Sequence, residues 1–600
     1  MEGAVMSEPV ELAGMGAIVG ADGVGFRVWA PHADTVAVVG DFNDWDETAD
    51  PLTRENDEGY WYGCVDGATT GQQYKFVLTN GDLRLERIDP YARQVTNSVG
   101  NGVIVDPADF DWQGDDFTLP PLNELVIYEA HVGSFVTQPG RQGNLELLTD
   151  KLQHVVNLGC NVIQLMPVAE FAGDLSWGYN PAHMFAVEST YGGPHAYREF
   201  VRRAHELGLG VIQDVVYNHF GPSDLDLWQF DGWSENGKGG IYFYNDDRSH
   251  TPWGDTRPDY GRGPVRQFIH DNAMMWLDEF HVDGLRMDMT PYMRSKDATG
   301  FDIMDGWTLQ AWVNRDIVAR HPHAVLIAED MHSEPRVTGF DNDGAGYHAQ
   351  WDPNFVHPIR AAIQAARDED RSMSAVAGAL TFNYDGDAFR RVVYTESHDE
   401  VANGKARVVS EINHSDQQGW HSQKRSTLGA ALALTAPGVP MLFQGQEFLQ
   451  GDWFRDDVPL DWHLSRTHHG IVQLYADLVA LRRNRHGRSR GLQGQGITVF
   501  HVDEAAKVLA FQRWADHGVG DDVVVVVNLS DKPLEDLRIG LPAAGAWRLE
   551  LNSDSSFYSD DFADFVSEDL VGEAEPRDGL DASASVSIAP YTVLIYSYAG

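Results

Sequence analysis

The chain has 600 residues, too long for one ordinary domain and enough for roughly three or four. Hydrophobic residues make up 43%, ample for buried cores and against global disorder, and no apolar run is long enough to cross a bilayer. Lys and Arg total 44 against 90 Asp and Glu, a net charge of -46. Such a chain should repel nucleic acid and anionic membranes, and it suits a neutral substrate or a salty solvent.

The opening stretch MEGAVMSEPV has neither a basic segment nor an apolar one, so a secretory signal is not expected and a cytoplasmic location is. Residues 24–105 then alternate apolar and polar positions in short runs: GFRVWA (25–30), TVAVVGDF (35–42), GYWYGCV (59–65) and QYKFVLT (73–79). Period-two alternation broken by Gly, Asn and Asp predicts a β-sandwich, placed at 1–110. The acidic, proline-containing stretch 111–124 reads as a linker. The two cysteines, Cys64 and Cys160, fall in different predicted domains; two buried thiols are expected rather than a disulfide.

From 125 to 490 the pattern changes. Apolar, β-rich runs alternate with amphipathic helical segments such as 147–159 and 196–210. The runs are LVIYEA (125–130), NVIQLM (161–166), GVIQDVVY (210–217), GLRMDM (284–289), AVLIAE (324–329), RVVYTE (391–396) and GVPMLF (438–443). A weaker run, YHAQWD (347–352), brings the number to eight. Eight strand–helix units in this length fit an α/β fold, a (β/α)8 TIM barrel over 111–490, better than an open sheet, which would need a glycine fingerprint after its first strand. The tail, 491–600, is strand-rich again, at 496–502, 508–514, 522–530 and 592–599, and predicts a C-terminal antiparallel β domain. Within it, the acidic stretch 552–579 reads as a long solvated loop.

In a barrel, catalytic groups sit where strands end at the C-terminal face. Strand three ends in Asp214 and leads to Asn218 and His219; strand four carries Arg286 and Asp288; strand five ends in Glu329 and Asp330; strand seven leads into Glu396, His398, Asp399 and Glu400. Four strand ends thus carry carboxylates, two with histidines beside them. One such charge alone would be read as a salt bridge; four together point to a shared cleft. Cleaving a glycosidic bond needs one carboxylic acid to protonate the leaving oxygen and one carboxylate on the other face of the sugar. Arg286 lies two residues before Asp288, so both side chains share a face, and a fixed cation there would keep Asp288 ionised. Glu329 has no arginine on its own strand, which suits a group that must hold a proton.

These residues resemble the signatures of the glycoside hydrolase family that contains α-amylases and α-glucan branching enzymes. The matching segments are DVVYNH (214–219), DGLRMD (283–288), IAED (327–330) and ESHDE (396–400), in the family's order. The resemblance implies Asp288 as nucleophile, Glu329 as general acid/base, and Asp399 as the third carboxylate, which binds and distorts the sugar. His219, Arg286 and His398 would contact the sugar at the cleavage point, Asp214 would be structural and close to it, and Tyr179, in WGYNPAHMFAVESTYG (177–192), would stack on it. Asn218 stands where many amylases bind calcium, but no partner ligands are identifiable, so a hydrogen-bonding role is expected; no metal and no cofactor are. The stretch RVWAPHADTVAVVGDFNDW (27–45) is similar to the glycan-binding-type sandwich that precedes the barrel in branching, debranching and trehalose-releasing enzymes. Segments 126–135, 396–407 and 458–464 look like branching enzymes, whereas GQEF (445–448) is closer to some amylases and DVVYNHFGP (214–222) and HTPWGD (250–255) are similar to trehalose-releasing hydrolases.

The implied activity is formation of α-1,6 branches from an α-1,4-glucan (glycogen, starch, amylose or maltooligosaccharides) through a glycosyl-Asp288 intermediate. A hydrolase with water as acceptor is the alternative within the family, and a non-catalytic glucan-binding protein the alternative outside it. Trp253, Trp453 and Trp462 are candidate platforms for the acceptor, as single tryptophans equally suited to packing.

Overall fold

The computed structural model describes residues 12–341 and 343–600, so the opening stretch on which the location was argued lies outside it. All eight predicted barrel strands form: β1 (Ile127–Ala130), β2 (Val162–Leu165), β3 (Gly210–Val215), β4 (Gly284–Met287), β5 (Val325–Ala328), β6 (Ala349–Trp351), β7 (Arg391–Val393) and β8 (Val439–Phe443). They close in sequence order, β8 pairing with β1, and every pairing is parallel. Every residue of these strands is buried, because one face meets the barrel interior and the other the surrounding helices. That double burial is why the runs read as nearly continuous apolar sequence. β4 and β5 stop short of their runs, so Asp288 and Glu329 stand one residue past them, on the turns that open the C-terminal face.

Before the barrel, the four predicted strands form as Gly23–Trp29, Thr35–Gly40, Tyr60–Asp66 and Gln73–Asn80, divided between two antiparallel sheets. Phe26, Val28, Val36, Val38, Trp61, Tyr74 and Phe76 fill the space between them. After the barrel comes a six-stranded sheet that contains all four predicted tail strands, and beside it the pair Leu534–Leu541 and Ala582–Ile588. The α/β barrel flanked by two β units is therefore the architecture. Among the described residues, no helix is long and apolar enough to cross a membrane.

Two segments differ from expectation. The stretch 111–124 is a packed strap rather than a linker: Trp112 stacks on His281 at 3.8 Å between centroids, Phe117 stacks on His205 at 4.6 Å, and Asp115 Oδ2 lies 2.7 Å from His205 Nδ1. The stretch 552–579 is likewise not a wholly solvated loop: Phe562 and Leu570 are buried, and Asp554 meets the buried Lys424 of the helix Trp420–Thr435 at 2.7 Å. Both segments are polar in composition, and both are held by ion pairs, the first by ring stacking as well, which hydropathy does not register. Both cysteines are free thiols; Cys160 is buried, but Cys64 is partly exposed rather than buried.

Candidate active site

Arg286 organises the C-terminal face. The β3–β4 register sets Asp214 directly beside Arg286, and period two sets Asp288 on the same face. The guanidinium is fully buried; Nη1 donates to Asp214 Oδ2 at 2.7 Å and to Asp288 Oδ1 at 2.9 Å, and Nη2 donates to Glu329 Oε2 at 2.6 Å. One cation thus spans three carboxylates, and the nearest oxygens of Asp288 and Glu329 are kept close by it. Glu329 has no arginine on its own strand, as expected, but it is still paired: the cation comes from the neighbouring strand, across a sheet register that sequence spacing does not reveal.

The charge balance also departs from expectation. Burial, and then the negative charge of Glu329, push Asp288 well above the ordinary carboxylate range, against the opposing pull of Arg286 and Asn218. The pull of Arg286 on Asp288 is diluted, because its charge is shared among three acids. Asn218 has the hydrogen-bonding role expected of it: its Nδ2 donates to Asp288 Oδ2 at 2.7 Å and to the Asp288 carbonyl at 3.1 Å. Burial, opposed by Arg286 and the Tyr179 hydroxyl, raises Asp214 to about 6.

Five of the eight predicted site residues, Tyr179, His219, Asp288, His398 and Asp399, line one cleft of about 370 Å³ together with Trp177, Trp253, Met289 and Asn403, while Glu329, Arg286 and Asp214 do not line it and are joined to it through the Arg286 contacts to Asp288. Tyr179 donates its hydroxyl to Asp214 Oδ2 at 2.6 Å and stacks on His398 with centroids 5.1 Å apart. His219 lies with Nε2 2.7 Å from the Tyr179 carbonyl and Nδ1 2.6 Å from Asn218 Oδ1, and burial pushes its pKa down to about 4. His398 is the opposite case. Against the cost of burial, the charges of Asp399 and Glu129 push it up to about 9, and Glu129 accepts from both His398 Nδ1 (2.8 Å) and its backbone N–H (3.0 Å). Sequence reasoning assigned no role to Glu129. A signal was present: it is the lone charge inside the apolar run 125–130, which a buried strand does not carry without a partner.

The other strand-end carboxylates have structural partners: Asp330 pairs with Arg294 at 3.0 Å, Glu396 with Arg407 at 3.2 Å, and Glu400 with Lys405 at 3.0 Å. Among the described residues, no group of three or more His, Cys, Asp or Glu side chains is placed to hold a metal ion. Of the three tryptophans, Trp253 borders the cleft, Trp453 is exposed, and Trp462 packs against Phe135 and Phe448 while donating to the Phe135 carbonyl at 2.7 Å.

The family model described as "Alpha amylase, catalytic domain" matches residues 91–249 and 226–469. The chain belongs to the α-amylase family. Two further family models match its flanks: "Carbohydrate-binding module 48 (Isoamylase N-terminal domain)" at 14–92 and "Alpha amylase, C-terminal all-beta domain" at 500–599. Among its curated relatives is the 1,4-alpha-glucan branching enzyme GlgB of Corynebacterium jeikeium, 32% identical over 96% of this chain and 82% of that one. The enzyme of the same name from Ralstonia nicotianae is 34% identical over 89% of this chain and 72% of that one. Among solved structures, the fold is shared with a type I pullulanase from Bacillus subtilis (TM-score 0.76, 22% identity, 98% of this chain and 86% of that one). A pullulanase from Anoxybacillus sp. LM18-11 also shares it (TM-score 0.76, 21% identity, 98% and 86%).

Proposed function

We propose that this member of the α-amylase family is a 1,4-α-glucan branching enzyme that works with retention of configuration. The observation that carries the reading is the single buried guanidinium of Arg286 holding Asp288, Glu329 and Asp214 together beside the cleft. The names of the relatives, which extend across all three parts of the chain, support the choice of branching over hydrolysis. The substrate is an α-1,4-glucan such as glycogen, starch, amylose or a maltooligosaccharide, neutral as the strongly acidic surface favours.

The chemistry proceeds in two steps. Asp288 attacks the anomeric carbon and Glu329 protonates the departing oxygen, so a C1–Asp288 ester forms as the α-1,4 bond breaks. The attack needs Asp288 ionised and Glu329 protonated. Arg286, hydrogen-bonded to both acids, offsets the charge left on whichever is ionised. A glucan 6-hydroxyl then attacks C1, its proton goes to Glu329, and the ester electron pair returns to Asp288. Asp399 and the His398 cation hold the sugar, and Tyr179 stacks on its face.

Incubation with amylose tests the reading. Branching predicts new α-1,6 linkages and a shift in iodine colour with little rise in reducing ends. Reducing ends without branches would make the protein a hydrolase, and no change at all would make it a glucan binder. In the Glu329→Gln variant, turnover should fall by at least about a hundredfold, the low end for losing a general acid/base, while amylose binding by affinity electrophoresis stays near wild type. Near-normal turnover would remove Glu329 from its role.

A further inference from the structure

The cleft has two aromatic walls. One is Tyr179, tied to Asp214 and stacked on His398. The other is Trp253, which stacks on His219 with centroids 4.7 Å apart and planes 12° from parallel, and meets Tyr292 edge-on at 5.2 Å. Trp253 nevertheless remains 47% exposed. A tight turn presents it: the Thr251 and Gly254 backbones exchange hydrogen bonds of 2.8 and 3.2 Å, and Thr251 Oγ1 accepts from the Trp253 N–H at 3.2 Å. Gly254 has φ +138, a conformation that L side chains rarely adopt. A large, half-bare indole held rigidly at a cleft rim adds little to the core and is suited to a flat ligand face.

The chain after the nucleophile fixes which side of the cleft this is. Met289 adopts φ 39, and its N–H donates to Glu329 Oε2 at 3.0 Å. The segment from Met289 to Tyr292 therefore lies on the acid/base side, and Tyr292 is the residue that touches Trp253. The leaving chain departs on that side, and the acceptor, which gives its proton to the same Glu329, must approach there.

We infer that Trp253 is the acceptor platform: it stacks on the glucan segment whose 6-hydroxyl attacks C1 of the glycosyl-Asp288 intermediate, and with Met289 it shields that carbon from bulk water. The inference rests on the branching reading. In the transfer it governs, the O6–C1 bond forms as C1–Asp288 breaks, and the hydroxyl proton passes to Glu329. Water competes for the same carbon, so the partition between branches and reducing ends measures how well the platform holds its sugar.

The experiment compares wild type, Trp253→Ala and Trp253→Phe on amylose, counting α-1,6 linkages per reducing end released. The alanine variant should lower that ratio about tenfold, the worth of one lost aromatic stack, and the phenylalanine variant should return it to within about twofold of wild type. A wild-type-like ratio in Trp253→Ala, with wild type forming branches, overturns the inference and leaves the branching reading intact. A wild type that yields reducing ends alone overturns both. Because Trp253 is half exposed, its truncation leaves the barrel core unaltered, and an unchanged unfolding midpoint verifies this.

Discussion

His398 is held well above its ordinary value, at about 9, by Asp399 beside it and by Glu129, which is hydrogen-bonded to it. A group whose folded pKa is raised adds stability that is fully present below its unfolded value, near 6.5, and is lost as pH rises through 9. The contribution is on the order of 3 kcal/mol for this fully buried ring. Chemical denaturation at pH 6 and pH 10 should therefore show stability falling over that window. Glu170, raised to about 8 chiefly by burial, pulls in the same direction, so the His398→Gln variant is needed to isolate the ring. The variant should lose most of the slope between pH 6.5 and 9; an unchanged slope would show that the cation is not anchored as described. The catalytic carboxylates were legible in the sequence because charges that close apolar runs are conspicuous. Their shared arginine was not, since the approach of Arg286 to Glu329 depends on which strands are neighbours, and neither was the partner of Glu129, His398, which lies 269 residues away.

At the scale of elements, the barrel strands were readable because burial on both faces leaves a continuous apolar run. The strap at 111–124 and the excursion at 552–579 were not, because their anchoring is ionic. Lys424 shows the strength of that anchoring. It is fully buried on the helix Trp420–Thr435, with Nζ 2.7 Å from Asp554 Oδ1 and 2.9 Å from Thr592 Oγ1, under the Phe562 ring. Burial pulls its pKa down and Asp554 opposes the pull, so each charge requires the other. Lys424→Met should leave Asp554 buried and unpaired, costing about 3–5 kcal/mol, whereas replacing both with apolar residues of similar volume should recover most of the loss. Urea denaturation of the two variants measures this. A single variant within about 1 kcal/mol of wild type, the usual worth of an exposed pair, would mean that the excursion is not held through this contact.

At the scale of the whole molecule, a net charge of -46 has two opposite consequences in salt. Salt weakens the exposed ion pairs, such as Arg84 with Glu86 at 2.8 Å and Arg320 with Asp278 at 3.5 Å, but each of these is worth only about 0–1 kcal/mol. Salt also screens the mutual repulsion of the unpaired carboxylates, a term that grows with the excess charge and acts over the whole surface. The buried pairs, Lys424 with Asp554 and Arg286 with its three acids, are screened little. Repulsion should therefore win. Between about 0.05 and 1 M KCl, where the screening length falls from over 10 Å to about 3 Å, the unfolding midpoint should rise. Chloride is the anion of choice because sulfate stabilises most proteins by exclusion from their surface. The KM for amylose should stay level across the series, since a neutral substrate is not steered by the field. A midpoint that falls with KCl would show that attraction between surface pairs outweighs the excess charge, and a KM that tracks salt would place a charged group in direct competition for the sugar.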